Sequence, residues 1–369
     1  MIPSVVVFGT AGYARTHLRR ARALHDRGEI VLAGACDVRE PPDGAGELVP
    51  VFTRDPAELL ARVPADIAVV ATPPHTHLPL ARLALAAGCH VLVEKPPVLD
   101  LTAFDELTER ARGRACQVGF QSFGSPAVPV IRAALARGAI GAVTGVAAAG
   151  AWIRRDRYFA RSAWAGRRRL EGRAVVDGAL TNPFAHAVAT ALLLNGTAGA
   201  RPERATVELY RARDIESDDT ACARLCFAGA PDVVAAATLA AEADHEPYVL
   251  IHGTEGRIRW HYKTDVVLIG GEPVPVGPPE DLLANLVGHL RDGVPLLAPL
   301  AATRAFTALV ETVRDAPEPR RLPGARAVGT GPERRFVVPG VDRAVDVAAE
   351  RLALFSELAL PWTLAREET

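Results

Sequence analysis

Residues 66–97 read DIAVVATPPHTHLPLARLALAAGCHVLVEKPP, and this stretch decides the fold. Residues 67–71 are a short apolar run rich in β-branched side chains, the composition of a parallel strand buried on both faces. Thr72-Pro73-Pro74 ends the run, because proline fixes its own φ and cannot donate to a sheet ladder. Residues 78–87 carry leucine and alanine at helical spacing, and Gly88 closes the helix as a C-cap. Residues 90–93 form the next strand, which stops in Glu94-Lys95-Pro96-Pro97. Two opposite charges at the carboxyl end of a buried strand stand where open α/β sheets take their ligands. The bland alternative is a solvated strand end; the functional one is a catalytic lysine.

Upstream, residues 4–8 are an apolar strand, Gly9-Thr10-Ala11-Gly12-Tyr13-Ala14 follows, and a helix runs through Leu24. Strand, glycine-rich turn and helix N-terminus are the parts of a dinucleotide fingerprint. The match to G-x-G-x-x-G is imperfect, since Ala11 takes the second glycine position and Ala14 the third. An ordinary βα turn is the alternative, and the turn's place at the start of a βαβ unit argues against it. Residues 30–36 form the second strand, ended by Asp37. An acid there accepts hydrogen bonds from both adenosine ribose hydroxyls, which favours NAD. Arg39 could instead pair with a 2′-phosphate and permit NADP. NAD is the expectation, because the acid on the strand end would repel a phosphate.

Residues 40–50 read as a Pro/Gly-rich loop. Residues 55–63 form a short helix, with Asp55 as N-cap and Pro56 at its first position. Residues 102–112 form an amphipathic helix. Residues 115–120 are a last strand, and the boundary is set after Gln121, giving a nucleotide-binding domain over 1–121 and a second domain over 122–369.

The pattern ATPPHTH…ALAAGCHVLVEKP resembles the Gfo/Idh/MocA family of NAD(P)-dependent sugar and cyclitol oxidoreductases. The resemblance implies an α/β N-terminal Rossmann domain with a doubly wound parallel sheet. It further implies an α+β C-terminal domain with a large open, mainly antiparallel sheet. Lys95 would touch both the nicotinamide ribose and the reacting hydroxyl. Gly9, Thr10, Ala11, Gly12, Tyr13, Ala14, Asp37, Arg39, Thr72, Pro73, Pro74, His77, Glu94, Lys95 and Gln121 would line the cofactor. His17 falls where the family often has a histidine, with a structural role expected. After the last Rossmann strand the family often carries an Asn and then an Arg before a Pro. Here Gln121 keeps the amide and Phe123 stands in the Arg place.

In the second half, residues 128–137 read as a helix ended by Gly138, and 141–151 as a strand. Residues 152–173 hold two of the four Trp and eight Arg. One reading is a substrate loop, with aromatic faces stacking on sugar C–H surfaces and guanidinium groups binding hydroxyls, carboxylates or phosphates. The other is a solvated basic loop or an oligomer contact. Within the first reading, Trp152, Tyr158 and Trp164 are better candidates than any single Arg, and Phe123 joins them as substrate-facing.

Residues 177–196, DGALTNPFAHAVATALLLNG, form the second chemical centre, helical from 184 to 194. Asn182 and His186 are four apart, on one helix face. Asn182 could be only an N-cap, with Pro183 at the first helical position. The family pattern is an Asp, a His four residues later and a Gly ten after that. His186 and Gly196 keep it, and Asn182 takes the Asp place. The resemblance thus implies Lys95, His186 and Asn182 as catalytic residues that also touch substrate. Oxidising a secondary alcohol needs a hydride acceptor and a group to take the hydroxyl proton. Asn can hydrogen-bond to the substrate or an imidazole, but it cannot stabilise an imidazolium by charge. Asp177 could compensate if the turn between them is tight.

Residues 205–213, 220–227, 233–240, 248–253 and 257–260 read as strands of the open sheet, with 216–220 an acidic turn like the family's. The resemblance implies a homo-oligomer through this sheet. Residues 280–293 and 301–314 are helices. A C-terminal extension begins at about 317. Its helix, 341–358, carries Val341, Val345, Ala348, Leu352 and Phe355 on one stripe. Pro361-Trp362 follows, and the extension is expected to pack back onto the body.

With 369 residues, a net charge of −1 and a pI near 6.8, the chain has room for two domains and no electrostatic signature of a nucleic-acid binder. No apolar run is long enough for a bilayer, and no signal-peptide pattern opens the chain. Cys36, Cys89, Cys116, Cys222 and Cys226 are odd in number and scattered, as expected of reduced thiols in a cytoplasmic protein. Cys222 and Cys226 would lie ~13 Å apart along a strand, too far for a disulfide or a shared metal, and no cluster has metal-ligand spacing. The expected function is NAD(P)-dependent oxidation or reduction of a sugar, cyclitol or related polyhydroxylated ring. The alternatives are an NAD enzyme with no net redox change, eliminating or epimerising through transient oxidation, and a non-catalytic dinucleotide-binding scaffold.

Overall fold

The structure is a computed structural model that describes residues 2–40 and 49–363. Most of the loop expected over 40–50 lies outside the described residues. The chain divides into two compact units, Met1–Gly124 with Glu280–Thr303, and Ser125–Pro279 with Arg304–Thr369.

The first unit opens with β1 (Ser4–Phe8), α1 (Ala14–Asp26), β2 (Val31–Cys36), β3 (Phe52–Thr53), α2 (Pro56–Arg62) and β4 (Ile67–Val70). It continues with α3 (His77–Ala86), β5 (His90–Val93), α4 (Leu101–Arg110) and β6 (Cys116–Val118). The strands form one parallel sheet in the order β3-β2-β1-β4-β5-β6. The β4 run is buried throughout, as a strand covered on both faces requires. Asp55 caps α2 by accepting from the Ala57 and Glu58 amides, and Asp100 caps α4 through the Ala103 amide. Strand order reverses beside β1, which opens a crevice at the carboxyl ends of β1 and β4.

The second unit begins with α5 (Ala127–Ala136), β7 (Val143–Ile153), the one-turn α6 (Asp156–Phe159) and the small hairpin β8 (Arg169–Leu170) and β9 (Arg173–Ala174). Then come α7 (Ala185–Leu194), β10 (Arg204–Arg211), β11 (Thr220–Phe227), β12 (Ala230–Thr238), β13 (Ala240–Gly253) and β14 (Arg257–His261). The short strands β15 (Val266–Ile269) and β16 (Glu272–Val274) follow. Next, α8 (Leu282–Asp292) returns to the first unit. The second unit resumes with α9 (Arg304–Asp315), β17 (Arg320–Arg321), β18 (Arg326–Val328), β19 (Arg335–Val337) and α10 (Val341–Arg351). Its large sheet runs β16-β15-β14-β13-β7-β12-β11-β10-β17. It is antiparallel except where β12 meets β7 and β10 meets β17.

Two features depart from the sequence reading. Residues 280–303, expected in the second domain, belong to the first unit. Gln117, fully buried on β6, holds them there. Its amide donates to the Leu282 carbonyl at 2.6 Å and accepts from the Ala298 amide at 3.1 Å. The helix expected over 341–358 stops at Arg351, because Leu352 turns left-handed (φ 51°), and a 3-10 turn, Phe355–Leu358, follows.

The large sheet carries cover on both faces. Side chains alternate between faces along a strand. A Cβ on Gly150 would run into Phe184, at the start of α7, and a Cβ on Gly145 would run into Leu352, at the end of α10. The five-residue offset puts these on opposite faces, so the chain's own helices cover both sides. The C-terminal segment packs on the body as expected, with Val341, Val345, Ala348, Phe355 and Trp362 all in the core.

Candidate active site

At the crevice end of β1, Gly9 has φ +107°, and a Cβ built there would lie 2.5 Å from the Ala71 carbonyl oxygen. Only glycine tolerates that turn. Its amide donates to the Cys36 carbonyl at 2.7 Å, tying the turn to the end of β2. Asp37 completes the tie. One carboxylate oxygen accepts from the Thr10 amide (2.8 Å) and hydroxyl (3.0 Å), and the other from the Arg39 amide (3.2 Å). Ala11, Gly12 and Tyr13 are exposed, while Ala14, in the third glycine place, is fully buried against Gly9. Its single methyl satisfies the close packing that the position demands. No side chain caps the first turn of α1. An exposed turn before an uncapped helix, beside a fixed acid, fits a dinucleotide, with its pyrophosphate at the helix and its ribose at Asp37.

At the end of β5, the half-buried Lys95 follows Glu94, which is 9% exposed. The Glu94 carboxylate meets His17 Nε2 at 2.8 Å, accepts from Gln121 Nε2 at 3.2 Å, and accepts from the Lys95 amide at 3.2 Å. Thus His17 has the structural role expected of it, and its partner is the residue beside the lysine. Pro74 opens a short turn, Pro74–Thr76, whose Thr76 hydroxyl reaches the Pro73 carbonyl and the Thr72 hydroxyl. His77 is 1% exposed, with its ring nitrogens 2.7 and 2.8 Å from the Pro96 and Thr72 carbonyls. Burial lowers its pKa. This imidazole braces the ends of β4 and β5, so the expected cofactor contact becomes an indirect one. Phe123, expected to face substrate, is 2% exposed and stacked on Phe120 at 5.4 Å. Its ring is packing for the strand end.

In the second unit, Asn182 is not a helix cap; Phe184 holds that position. The Asn182 amide donates from its backbone to the Gly178 carbonyl (3.1 Å) and from its side chain to Asp177 (2.5 Å). The turn is therefore tight, and a carboxylate lies one hydrogen bond from the position that lacks one. Asp177 is 6% exposed and also accepts from the Gly166 amide (2.7 Å) and from Arg161 (3.1 Å). His186 lies in the first turn of α7, half-buried.

The aromatic, Arg-rich segment forms alternating layers. The Trp152 ring lies 4.3 Å from Phe184 and carries the Arg154 guanidinium at 4.4 Å and the Lys263 ammonium at 4.9 Å. Arg161 lies 3.8 Å over Tyr158 and 5.0 Å over Trp164. Each of the three predicted aromatic faces meets one of the chain's own cations. Arg168 donates to carbonyls at the end of α9, and Arg155 and Arg157 pair with Glu333. Arg168 is thus tied down, whereas Arg155 and Arg157 stay solvated, their side chains 40% and 60% exposed. Burial, with Asp177 nearby, pushes the Tyr158 phenol up to about 12, so it remains a donor at neutral pH.

Asp218 was not among the sequence candidates, although its acidic turn was noted. It is fully enclosed beneath the same turn, accepting from the Ala179 amide at 2.7 Å. Burial first, and Asp219 as a lesser cause, raise its pKa from 3.8 to about 6. A raised folded-state pKa means that the native chain binds this proton more tightly than the unfolded chain. The associated stability is present below about pH 4 and lost as pH rises through about 6. Relative to Asp218→Asn, the parent should therefore gain up to about 3 kcal/mol as pH falls across that window. Denaturant melts of both proteins at pH 4.5 and 7 check it; a constant difference would contradict it.

Among the described residues, no group of three or more His, Cys, Asp or Glu could hold a metal ion. Among the described residues, no helix is long and apolar enough to cross a membrane.

Residues 4–122 match the family model described as oxidoreductase family, NAD-binding Rossmann fold, and residues 129–259 match the GFO/IDH/MocA C-terminal domain. Inositol 2-dehydrogenase 1 of Saccharopolyspora erythraea is 34% identical over 153 residues, 38% of this chain and 43% of that protein. An uncharacterized oxidoreductase of Synechocystis is 27% identical over 54% of this chain and 56% of its own length. The chain thus spans about half the length of the curated relatives it matches. Among solved structures, the WlbA dehydrogenase of Bordetella pertussis, in complex with NADH and UDP-GlcNAcA, has a TM-score of 0.70 at 20% identity. That match covers 86% of this chain and 98% of that one. UDP-N-acetylglucosamine 3-dehydrogenase GnnA of Acidithiobacillus ferrooxidans has a TM-score of 0.66 at 20% identity, over 85% and 97%. These likenesses support the same two-part fold. With both halves matched in order, the chain belongs to the Gfo/Idh/MocA oxidoreductase family, and its first unit is an NAD-binding Rossmann domain.

Proposed function

We propose that this protein is an NAD-dependent oxidoreductase acting on a secondary alcohol of a sugar, cyclitol or related polyhydroxylated ring. The observation that carries this reading is Lys95 at the carboxyl end of β5, its neighbour Glu94 fixed by His17 and Gln121. Bound NAD would supply the hydride acceptor or donor. Gly9 to Ala14 would hold its pyrophosphate, and Asp37 its ribose hydroxyls. The fixed carboxylate disfavours a 2′-phosphate, so NAD is preferred over NADP despite Arg39.

Lys95 polarises the reacting hydroxyl as a cation, or as a neutral amine withdraws its proton. His186 acts as acid and base, and Asn182 orients the substrate. Asn182 brings no charge, but Asp177 fixes its side-chain amide. Trp152, Tyr158 and Trp164 shape the substrate side, with Tyr158 as a donor. Five free cysteines, four of them buried, suit a cytoplasmic enzyme.

The test is NADH formation from a panel of inositols, aldoses, uronic acids and UDP-sugars. Turnover of one class supports the proposal. NAD binding without turnover of any would favour the scaffold, and product formed with no net NADH would favour the redox-neutral alternative.

Asn182→Asp separates this arrangement from one with an acid at that position. It would set two carboxylates within hydrogen-bonding distance, with Arg161 their shared cation. Like charges so close cannot both ionise cheaply. Turnover should fall about tenfold or more at pH 8, and the swap Asp177→Asn with Asn182→Asp should recover most of it. Unchanged turnover in Asn182→Asp would refute the coupling.

A further inference from the structure

The odd-numbered face of β7, with Ala147 and Ala149, continues across Val234 and Ala236 on β12 and Leu250 on β13. All are 0–1% exposed. Small and branched apolar side chains at this density form a flat surface that water disfavours. It is buried by Val341, Val345 and Ala348 of α10, and by Phe355 and Trp362 beyond it. Tyr210 of β10 receives Trp362 edge-on at 5.0 Å.

Around this apolar centre runs a charged border. Arg224 of β11 makes a two-pronged pair with Glu357, both bonds 2.7 Å. Arg257 and Arg259 of β14 converge on Glu350 at 2.8 and 2.6 Å. The Tyr248 hydroxyl donates to Asp346 at 2.8 Å. A dry apolar centre within a polar rim is how two proteins meet. Here both partners are one chain, and the covering partner lies beyond residue 259, where the C-terminal family match ends.

We propose that residues 317–363 are a built-in cap that takes the place of a second copy on this sheet face, so that the protein works as a monomer. The second unit's supply of alternative contact surface agrees. Among the described residues, the large hydrophobic side chains of the second unit that remain exposed are Val266 and Val328. These two lie on short peripheral strands, too little for a stable interface. Covalent attachment also holds the cap at a high effective concentration, which a second copy would have to outcompete.

The cap covers a reporter. Cys222 is fully buried, its sulfur 3.7 Å from the Ala353 carbonyl. Light scattering on the eluting full-length protein should give one species near 39.1 kDa across dilution, with Cys222 inert to a thiol reagent. Val345→Asp, on the inner face of α10, should open the cap. Cys222 should then label at least tenfold faster, and larger species should appear. Arg343→Glu, on the exposed side of the same helix, should change neither. Circular dichroism confirms that the Val345→Asp protein is folded. Should that variant unfold, mild urea on the parent provides the same reading, with Cys222 labelling and association rising together before the global transition. A stable dimer of the parent would overturn the proposal. So would a folded protein that labels at Cys222 yet stays monomeric.

Discussion

Lys95→Ala should lower kcat by about 10²–10⁴-fold, the range over which a positioned acid–base group contributes. NAD affinity should change far less. The physical case rests on what holds the residue. β5 is buried and parallel, so its carboxyl end is fixed by neighbours on both sides. Glu94 is clamped by His17 from α1 and by Gln121 after β6. The lysine therefore leaves a rigid platform, and removing its side chain beyond Cβ should leave that platform intact. The platform differs from the reacting group, and the variants separate them. Glu94→Gln should retain part of the turnover, because its amide can still accept from Gln121 but loses the charge facing His17. Stopped-flow or steady-state NADH formation, with NAD binding followed by fluorescence, checks both variants. A Lys95→Ala enzyme within threefold of the parent would remove the lysine from the chemistry.

Gly9→Ala should weaken NAD binding about 10²-fold or more and destabilise the first unit. Two costs add. A non-glycine residue at φ +107° is strained by about 1–2 kcal/mol or more, and its Cβ would sit 2.5 Å from the Ala71 backbone oxygen. That oxygen cannot step aside, because the Ala71 amide is bonded to Phe8 and the strand is locked in the sheet. The turn must move instead, taking Thr10 and its hydrogen bonds to Asp37 with it. Every 1.4 kcal/mol of the resulting misfit is a tenfold loss of affinity. Gly12→Ala is the contrast. Gly12 also has positive φ, +58°, but a Cβ there meets nothing within 4 Å. Its effect should be near tenfold at most. Equal effects at the two positions would show that the close approach to Ala71 is not what matters.

Local signals in the sequence carried the first unit well. Asp55 before Pro56 and Gly88 after an alanine-rich helix are read from neighbours a few residues away, and the forces that fix them act over the same distance. Buried β-branched runs separated by helices marked the parallel strands, though not their order in the sheet. What escaped was long-range pairing of polar groups. Nothing near Gln117 announces that its amide will hold Leu282 and Ala298, so residues 280–303 were assigned by sequence adjacency to the wrong unit. Phe123 looked like an unusual site residue because an Arg was expected there, yet an aromatic near a strand end is equally good packing. The fate of Asn182 turned on whether five residues fold tightly enough to reach Asp177, a question of turn geometry that side-chain types leave open. What covers the sheet face escaped for a related reason. An apolar strand face shows that something covers it, and the amphipathic stripe of α10 was visible, but their mutual fit appears only in three dimensions.

Under the proposed function, this chain moves a hydride between a ring carbon bearing a hydroxyl and NAD. Incubating the protein with NAD and the active polyol carrying deuterium on that carbon, then recording the proton NMR spectrum of the nicotinamide, tests it most directly. Deuterium is expected at nicotinamide C4 with the parent, and at least a hundredfold slower transfer with Lys95→Ala. Protein that binds NAD, changes the polyol and leaves the nicotinamide free of deuterium would contradict it.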